Sequence, residues 1–340
     1  MNSSLRLQLR VLHRSMGFLL LISSVFVAHS TNSSASVSEL LPSLTTLQSY
    51  IASSVEIVKA PPSSATYPPY ASLSFAQTIW PATYTSPCYL TTPGKVAPVS
   101  PLRSCSYGDK SARRVILLTG DSQAGGWLAA FNSFGLVYHW RIVFLAMAKC
   151  APWGSGASGD VTLYNDVKAK DCDNFRASVL DRARRMHPGV TVLVGLGYFG
   201  PLSILIGQEL ATAKKYASTK AKILFLRPVP QYEPWIRSPS PVPCLLLQSS
   251  NISECFRSPE VLINQEYVQA FKQVASRVGG SVINTTPLFC TKYKCALYVF
   301  DGVRRRMINS DATHMNYFYA AWISRAFGEI LEPSLPNLPR

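Results

Sequence analysis

Beyond its first thirty residues the chain has no apolar run long enough to cross a bilayer, which takes roughly twenty residues. It has no C-x-x-C pair, and its 5 histidines are scattered, so the usual zinc spacings are excluded. No metal and no cofactor is expected. Acidic side chains are scarce: 18 stand against 33 lysines and arginines, for a formal charge of +15. The excess is dispersed in short clusters such as Arg113-Arg114, Arg184-Arg185 and Arg304-Arg305-Arg306. No basic stripe interleaved with aromatics forms, so nucleic acid is not an expected partner. An anionic envelope or glycan is a better match for such charge, and a solvated surface needs no partner at all. No internal repeat is present.

What is present points to export. Arg6, Arg10 and Arg14 precede an apolar run from Met16 to Val27, and Ala28-His29-Ser30 offers small residues for cleavage. Residues 1–30 therefore read as a signal peptide or an N-terminal anchor, the one segment expected to touch a membrane. The protein is expected outside the cytoplasm, secreted or held by that segment. Eight cysteines agree. They fall as four close pairs in sequence order: Cys88 with Cys105, Cys150 with Cys172, Cys244 with Cys255, and Cys290 with Cys295. Eight cysteines allow about a hundred pairings, and nearest-neighbour disulfides in an oxidising compartment are the expected set.

Residues 31–85 are rich in Ser, Thr, Pro and Ala. They read as a linker holding one amphipathic helix between Leu40 and Val58, ended by Pro61-Pro62 and Pro68-Pro69. The linker either wraps onto the main domain or spaces it from a membrane. Residues 86–335 form the globular domain. Apolar β-branched runs at 114–118, 141–146, 190–196, 222–227 and 281–284 read as buried strands. Helical spacing occupies 125–132, 173–186 behind an Asp173 cap, 202–218, 258–279 behind Ser258-Pro259, and 315–330. Residues 228–258, with many prolines, read as a long loop. Such alternation predicts an α/β fold with a mainly parallel sheet covered on both faces.

Two stretches carry the chemistry. Val115-Ile116-Leu117-Leu118-Thr119-Gly120-Asp121-Ser122-Gln123-Ala124 runs from a buried strand through a tight turn into a helix. Ser122 thus sits at the carboxyl end of a strand, where helix N–H groups face a bound group. Near the other end lies Ser310-Asp311-Ala312-Thr313-His314-Met315-Asn316. Serine needs a base to take its proton, histidine is the usual one, and a carboxylate orients it. The roles expected are Ser122 as nucleophile, His314 as general base and acid, and Asp311 as orienter. The Ser122 N–H is a candidate oxyanion donor, and Asp121 a cap for the helix. Each motif alone is more often an ordinary turn; their positions, after the first strand and before the last helix, give them weight.

With these residues the chain resembles the SGNH (GDSL-type) hydrolases, and most closely the SGNH domain that follows membrane acyltransferases of the acyltransferase-3, OafA-like, family. The resemblance covers about 86–332. Besides the two site stretches it rests on Cys105-Ser106-Tyr107-Gly108-Asp109, His139-Trp140-Arg141-Ile142-Val143, Lys149-Cys150-Ala151-Pro152, Cys172-Asp173-Asn174-Phe175-Arg176, Pro243-Cys244-Leu245 and Thr286-Pro287-Leu288-Phe289-Cys290. It implies a three-layer α/β/α sandwich and Ser-His-Asp chemistry on O-acyl esters of carbohydrate. Ser122, Asp311 and His314 map onto that triad. Gln123 stands where the family usually has histidine; it donates a hydrogen bond but shuttles no proton near neutrality. The superfamily's Gly-x-Asn block, source of an oxyanion Asn, reads Gly195-Leu196-Gly197-Tyr198 here, which leaves the Gly197 N–H and the Tyr198 hydroxyl as stand-ins. The relatives' multi-span membrane module has no counterpart in this sequence, so a separate membrane acyltransferase is a partner this reading admits. The expected function is an O-acyltransferase or acyl esterase acting on acyl (acetyl) groups of cell-envelope carbohydrate. The alternative is a non-catalytic carbohydrate-binding module serving that separate acyltransferase.

Overall fold

The structure is a computed structural model. It describes residues 41–67, 87–90, 105–154, 162–164, 167–195, 202–232, 241–247 and 250–338. The elements run α1 (Leu44–Ser54), β1 (Thr66–Tyr67), β2 (Tyr89–Leu90), β3 (Ser106–Gly108), β4 (Val115–Gly120), α2 (Ser122–Tyr138) and β5 (Arg141–Met147). They continue with β6 (Thr162–Tyr164), β7 (Val167–Lys168), α3 (Ala169–Met186), β8 (Val190–Val194), α4 (Leu202–Ala217), β9 (Lys222–Leu226) and α5 (Pro241–Leu247). The last are α6 (Pro259–Leu262), α7 (Gln265–Val278), β10 (Ser281–Ile283), β11 (Tyr298–Phe300), β12 (Arg305–Met307), α8 (Tyr317–Trp322) and α9 (Ser324–Leu331).

The main sheet has the order β10-β9-β8-β4-β5-β2, with every neighbour pair parallel, and β3 added antiparallel on the amino-terminal half of β5. Every residue of β4 and β8 is buried, which is why both read as unbroken apolar runs rather than alternations. One face is covered by α3, α4 and α7: Phe225 of β9 stacks on Phe271 of α7, and Trp153 meets the same ring edge-on. The other face carries α2, with α8, α9 and α1 outside it. Trp127, Phe131 and Phe134 of α2 all pack on Phe327 of α9, so this helix is apolar nearly all round. The result is an α/β/α sandwich with a small sheet, β1-β12-β11, at one side.

Four disulfides form in the expected pairs: Cys88–Cys105, Cys150–Cys172, Cys244–Cys255 and Cys290–Cys295. They fit an extracytoplasmic location. Among the described residues no helix is long and apolar enough to cross a membrane, and no cluster of metal-binding side chains occurs. The helix α1 packs onto the main body. Leu47 and Ile51 are buried, its Leu44 N–H donates to Glu329 in α9, and the Ser54 hydroxyl accepts from the Phe300 N–H.

Several expected boundaries move. The helix α3 starts at Ala169, not behind Asp173; burial of Ala169 and of Cys172, bonded to Cys150, draws the preceding turn into the helix. Asp173 is therefore no cap and pairs with Arg176. The helix expected over 258–279 divides into α6 and α7, because Ile263 is extended and Asn264 caps α7 by accepting from the N–H groups of Glu266 and Tyr267. The last helix likewise divides at Ile323, after an Asn316 cap. The long loop at 228–258 contains α5.

One buried group is at odds with its surroundings. Glu209 of α4 is fully buried, and neither carboxyl oxygen has a hydrogen-bond partner among the described residues. Burial raises its pKa from 4.5 to about 9. The unfolded chain releases this proton as pH rises through 4.5, while the folded chain holds it to about 9. Its share of stability is thus whole below the lower value and is lost across that window. We predict that Glu209→Met gains stability over wild type by roughly 1–3 kcal/mol more at pH 8 than at pH 4.5, read by urea unfolding at both.

Candidate active site

The strand β4 delivers Ser122 through a turn that only glycine permits. A Cβ on Gly120 would lie 1.6 Å from the carbonyl oxygen of Val194, at the end of β8. The chain then reverses at Asp121, which is buried and caps α2. Its Oδ1 accepts from the Gln123 N–H at 2.8 Å, and its carbonyl accepts from the Ala124 N–H at 3.1 Å. Ser122 is the first residue of α2, so its own N–H has no intrahelical acceptor. Its neighbours' donors are taken by Asp121, and among the described residues the Ser122 N–H has no acceptor at the helix end, where the partial positive charge of the dipole gathers.

The histidine comes from a loop closed on itself. Asn309 and Met315 bridge, the Ser310 N–H donates to the His314 carbonyl at 2.9 Å, and the Asn316 N–H donates to the Ile308 carbonyl at 2.7 Å. Inside it, Asp311 Oδ1 accepts from the N–H groups of Thr313 and His314, both at 2.7 Å. Asp311 Oδ2 lies 2.8 Å from His314 Nδ1. His314 Nε2 lies 2.8 Å from Ser122 Oγ. An ionised carboxylate only accepts, so Nδ1 carries the proton and Nε2 is left to accept from the serine hydroxyl. Burial pushes the Asp311 carboxyl up, but the hydrogen bonds and charge of His314 and the two backbone donors outweigh it, and its pKa ends below the ordinary value. It is ionised near neutrality.

Two loops 192 residues apart are thus in register at one hydrogen bond. A second tie holds them there. The Gln123 side chain is buried and its Nε2 donates to the Thr313 carbonyl at 2.9 Å. A third support comes from the segment after β9: the Tyr232 N–H donates to the Ala312 carbonyl at 2.6 Å, and Asn309 Nδ2 donates to the Pro230 carbonyl at 3.1 Å. The sequence marks Asp121 as a cap and Gln123 as a hydrogen-bond donor, but assigns no role to Asn309 or to Thr313, whose hydroxyl lies 3.0 Å from His314 Nδ1. Thr313 was visible inside the Asp-x-x-His motif; Asn309 had no local signal. Gly197 and Tyr198 lie outside the described residues. Gly195 is described; a Cβ there would meet Pro152 and an Asp121 carboxylate oxygen, so the exit of β8 is pressed against the nucleophile turn.

A parallel α/β/α sandwich with Gly-Asp-Ser at its central strand and Asp-x-x-His before its last helices is the SGNH hydrolase fold. The profile of one branch, described as SGNH domain (fused to AT3 domains), matches residues 87–329. The chain belongs to that family, and membership supports a role in acyl transfer or acyl hydrolysis. No curated protein matches the chain. Among solved structures, the chain is similar to the periplasmic domain of a lipopolysaccharide acetyltransferase from Salmonella ser. Paratyphi A, at 16% identity and a TM-score of 0.56 over 76% of this chain and 98% of that one. A GDSL-like lipase from Bacteroides thetaiotaomicron matches at 13% identity and a TM-score of 0.36, over 66% of this chain and 89% of that one.

The Gln123 tie is testable. Gln123→Ala leaves the buried Thr313 carbonyl without its donor, and we predict a loss of roughly 1–2 kcal/mol in unfolding free energy. Asp121→Ala removes the cap of α2 and is expected to lose about as much. Chemical denaturation of the three proteins checks both.

Proposed function

We propose that the protein is an exported serine-dependent acyl enzyme that acts on O-acyl groups, acetyl above all, of cell-envelope carbohydrate. The observation that carries this reading is the 2.8 Å contact of His314 Nε2 with Ser122 Oγ, backed by Asp311 on Nδ1. Ser122 Oγ attacks the acyl carbonyl as His314 takes its proton. The Ser122 N–H, open at the helix end, faces the oxyanion that develops. Collapse returns the proton from His314 to the leaving sugar oxygen and leaves the acyl group on Ser122. Water then takes it in an esterase, or a second sugar hydroxyl in a transferase. In the transfer direction a separate membrane acyltransferase is a source of the acyl group, and residues 1–30 direct or anchor the protein outside the cytoplasm.

Gln123 does not count against turnover on this reading. Proton transfer here runs between Ser122 and His314, with Asp311 ionised throughout, so a histidine after the serine is not required, and Gln123 serves as a tie between loops.

The test is labelling of the oxidised, full-length protein by a serine-directed fluorophosphonate. Wild type is expected to label at Ser122, and Ser122→Ala not at all. His314→Ala is expected to slow labelling by about 10³-fold or more, and Asp311→Asn by roughly 10²–10⁴-fold, because the amide favours the wrong tautomer. A folded wild-type protein that does not label would overturn the proposal in favour of the binding module.

A further inference from the structure

The carboxyl end of the sheet carries a cavity of about 280 Å³ beside the ends of β9 and β10. Its lining includes Arg227, Asn284, Thr286, Gln48, Lys292 and Glu260, and none of Ser122, Asp311 or His314. Ligands of open α/β sheets bind beyond the carboxyl ends of the strands, so the place is a natural one. The two sites are neighbours. Arg227 directly follows β9, which lies two strands from β4, so the cavity is roughly 10–15 Å from the nucleophile at ordinary strand spacing. The segment Pro228–Tyr232 runs from Arg227 to the loop that holds His314.

Arg227 is half-buried, and its side chain is held by neutral groups alone. Nη1 donates to Asn284 Oδ1 at 2.7 Å and to Thr286 Oγ1 at 3.1 Å. Among the described residues no carboxylate pairs with it, and burial holds its pKa below the ordinary value. By contrast, Arg306 has Asp301 and Arg176 has Asp173. Asn284 and Thr286 fix one end of the guanidinium, and among the described residues Nε and Nη2 are uncommitted, a fork whose donors match the two oxygens of an oxyanion. Lys292, exposed on the loop closed by Cys290–Cys295, adds a second positive charge at the mouth. Glu260, the acidic residue of the lining, is exposed, so solvent and salt screen it.

We propose that this pocket binds the oxyanion group of an acidic carbohydrate, a uronate carboxylate or a phosphate ester, through Arg227. A glycan could then lie along the sheet edge with its acylated hydroxyl at Ser122 and its anionic group here. That alignment rests on the proposed function; the anion site does not.

Calorimetric titration of the full-length Ser122→Ala protein at low ionic strength tests it. The protein is made oxidised in a bacterial host, so that Asn284, in an Asn-Thr-Thr sequon, stays bare. The titrants are galacturonate, galactose 6-phosphate and galactose. One of the acidic sugars is expected to bind about tenfold more tightly than galactose, and Arg227→Gln to remove that advantage. Preference for galacturonate assigns the carboxylate, and preference for the phosphate assigns the ester. Equal binding of galactose, no binding of either acidic sugar, or an advantage that survives Arg227→Gln would each overturn the proposal. Should Arg227→Gln not fold, Lys292→Gln decides: the advantage shrinks about threefold, or the proposal fails. Since Ser122 is absent throughout, this outcome is independent of fluorophosphonate labelling.

Discussion

The carboxylate of Asp311 is the group on which the site depends. It accepts two backbone N–H groups and the His314 ring within three residues of chain. Those bonds fold the loop, aim the imidazole and choose its tautomer in a single arrangement. The same bonds offset the cost of burying the charge, so the carboxylate remains ionised beside the imidazole. Organisation and electrostatics are one feature here, and neither survives without the other.

That loop is useful only where it meets β4. The parallel sheet supplies the meeting place, since its central strand ends where α2 begins and the flanking strands end beside it. Gly120 lets the nucleophile turn press on β8, and Asp121 absorbs the helix donors that would otherwise compete with the Ser122 N–H. Around this frame the disulfides sit at the edges. Cys88–Cys105 joins the two short strands on β5, and Cys150–Cys172 ties the loop after β5 to α3. All eight half-cystines are themselves buried in the apolar core.

The electrostatics divide by position. Some charge is paired locally, as in Asp301 with Arg306 and Asp181 with Arg185. Deeper groups are less settled. Glu209 is kept neutral by burial, and Arg227 keeps a charge answered only by dipoles. The first weakens the fold as pH rises. The second lines a cavity at the carboxyl end of the sheet.

Much of this was legible from residues alone. Apolar runs in β4, β8 and β9 marked buried parallel strands, close cysteine spacing marked the disulfides, and Gly-Asp-Ser with Asp-x-x-His marked the two halves of the site. Those signals are local, because burial, loop closure and capping act over a few residues. Local pattern misjudged the start of α3, where a disulfide and burial extended the helix, and the break before α7, where an Asn cap outweighed continuous helical spacing. It could not reach the Gln123–Thr313 tie, the support of Asn309 by Pro230, or the isolation of Arg227. Each of these depends on which distant chain segments the sheet order brings together. The sequence by itself determined the buried central strands, the cross-links and the chemical inventory; the tertiary structure alone decided that Ser122 and His314 lie within one hydrogen bond, because only packing sets distances between residues remote along the chain.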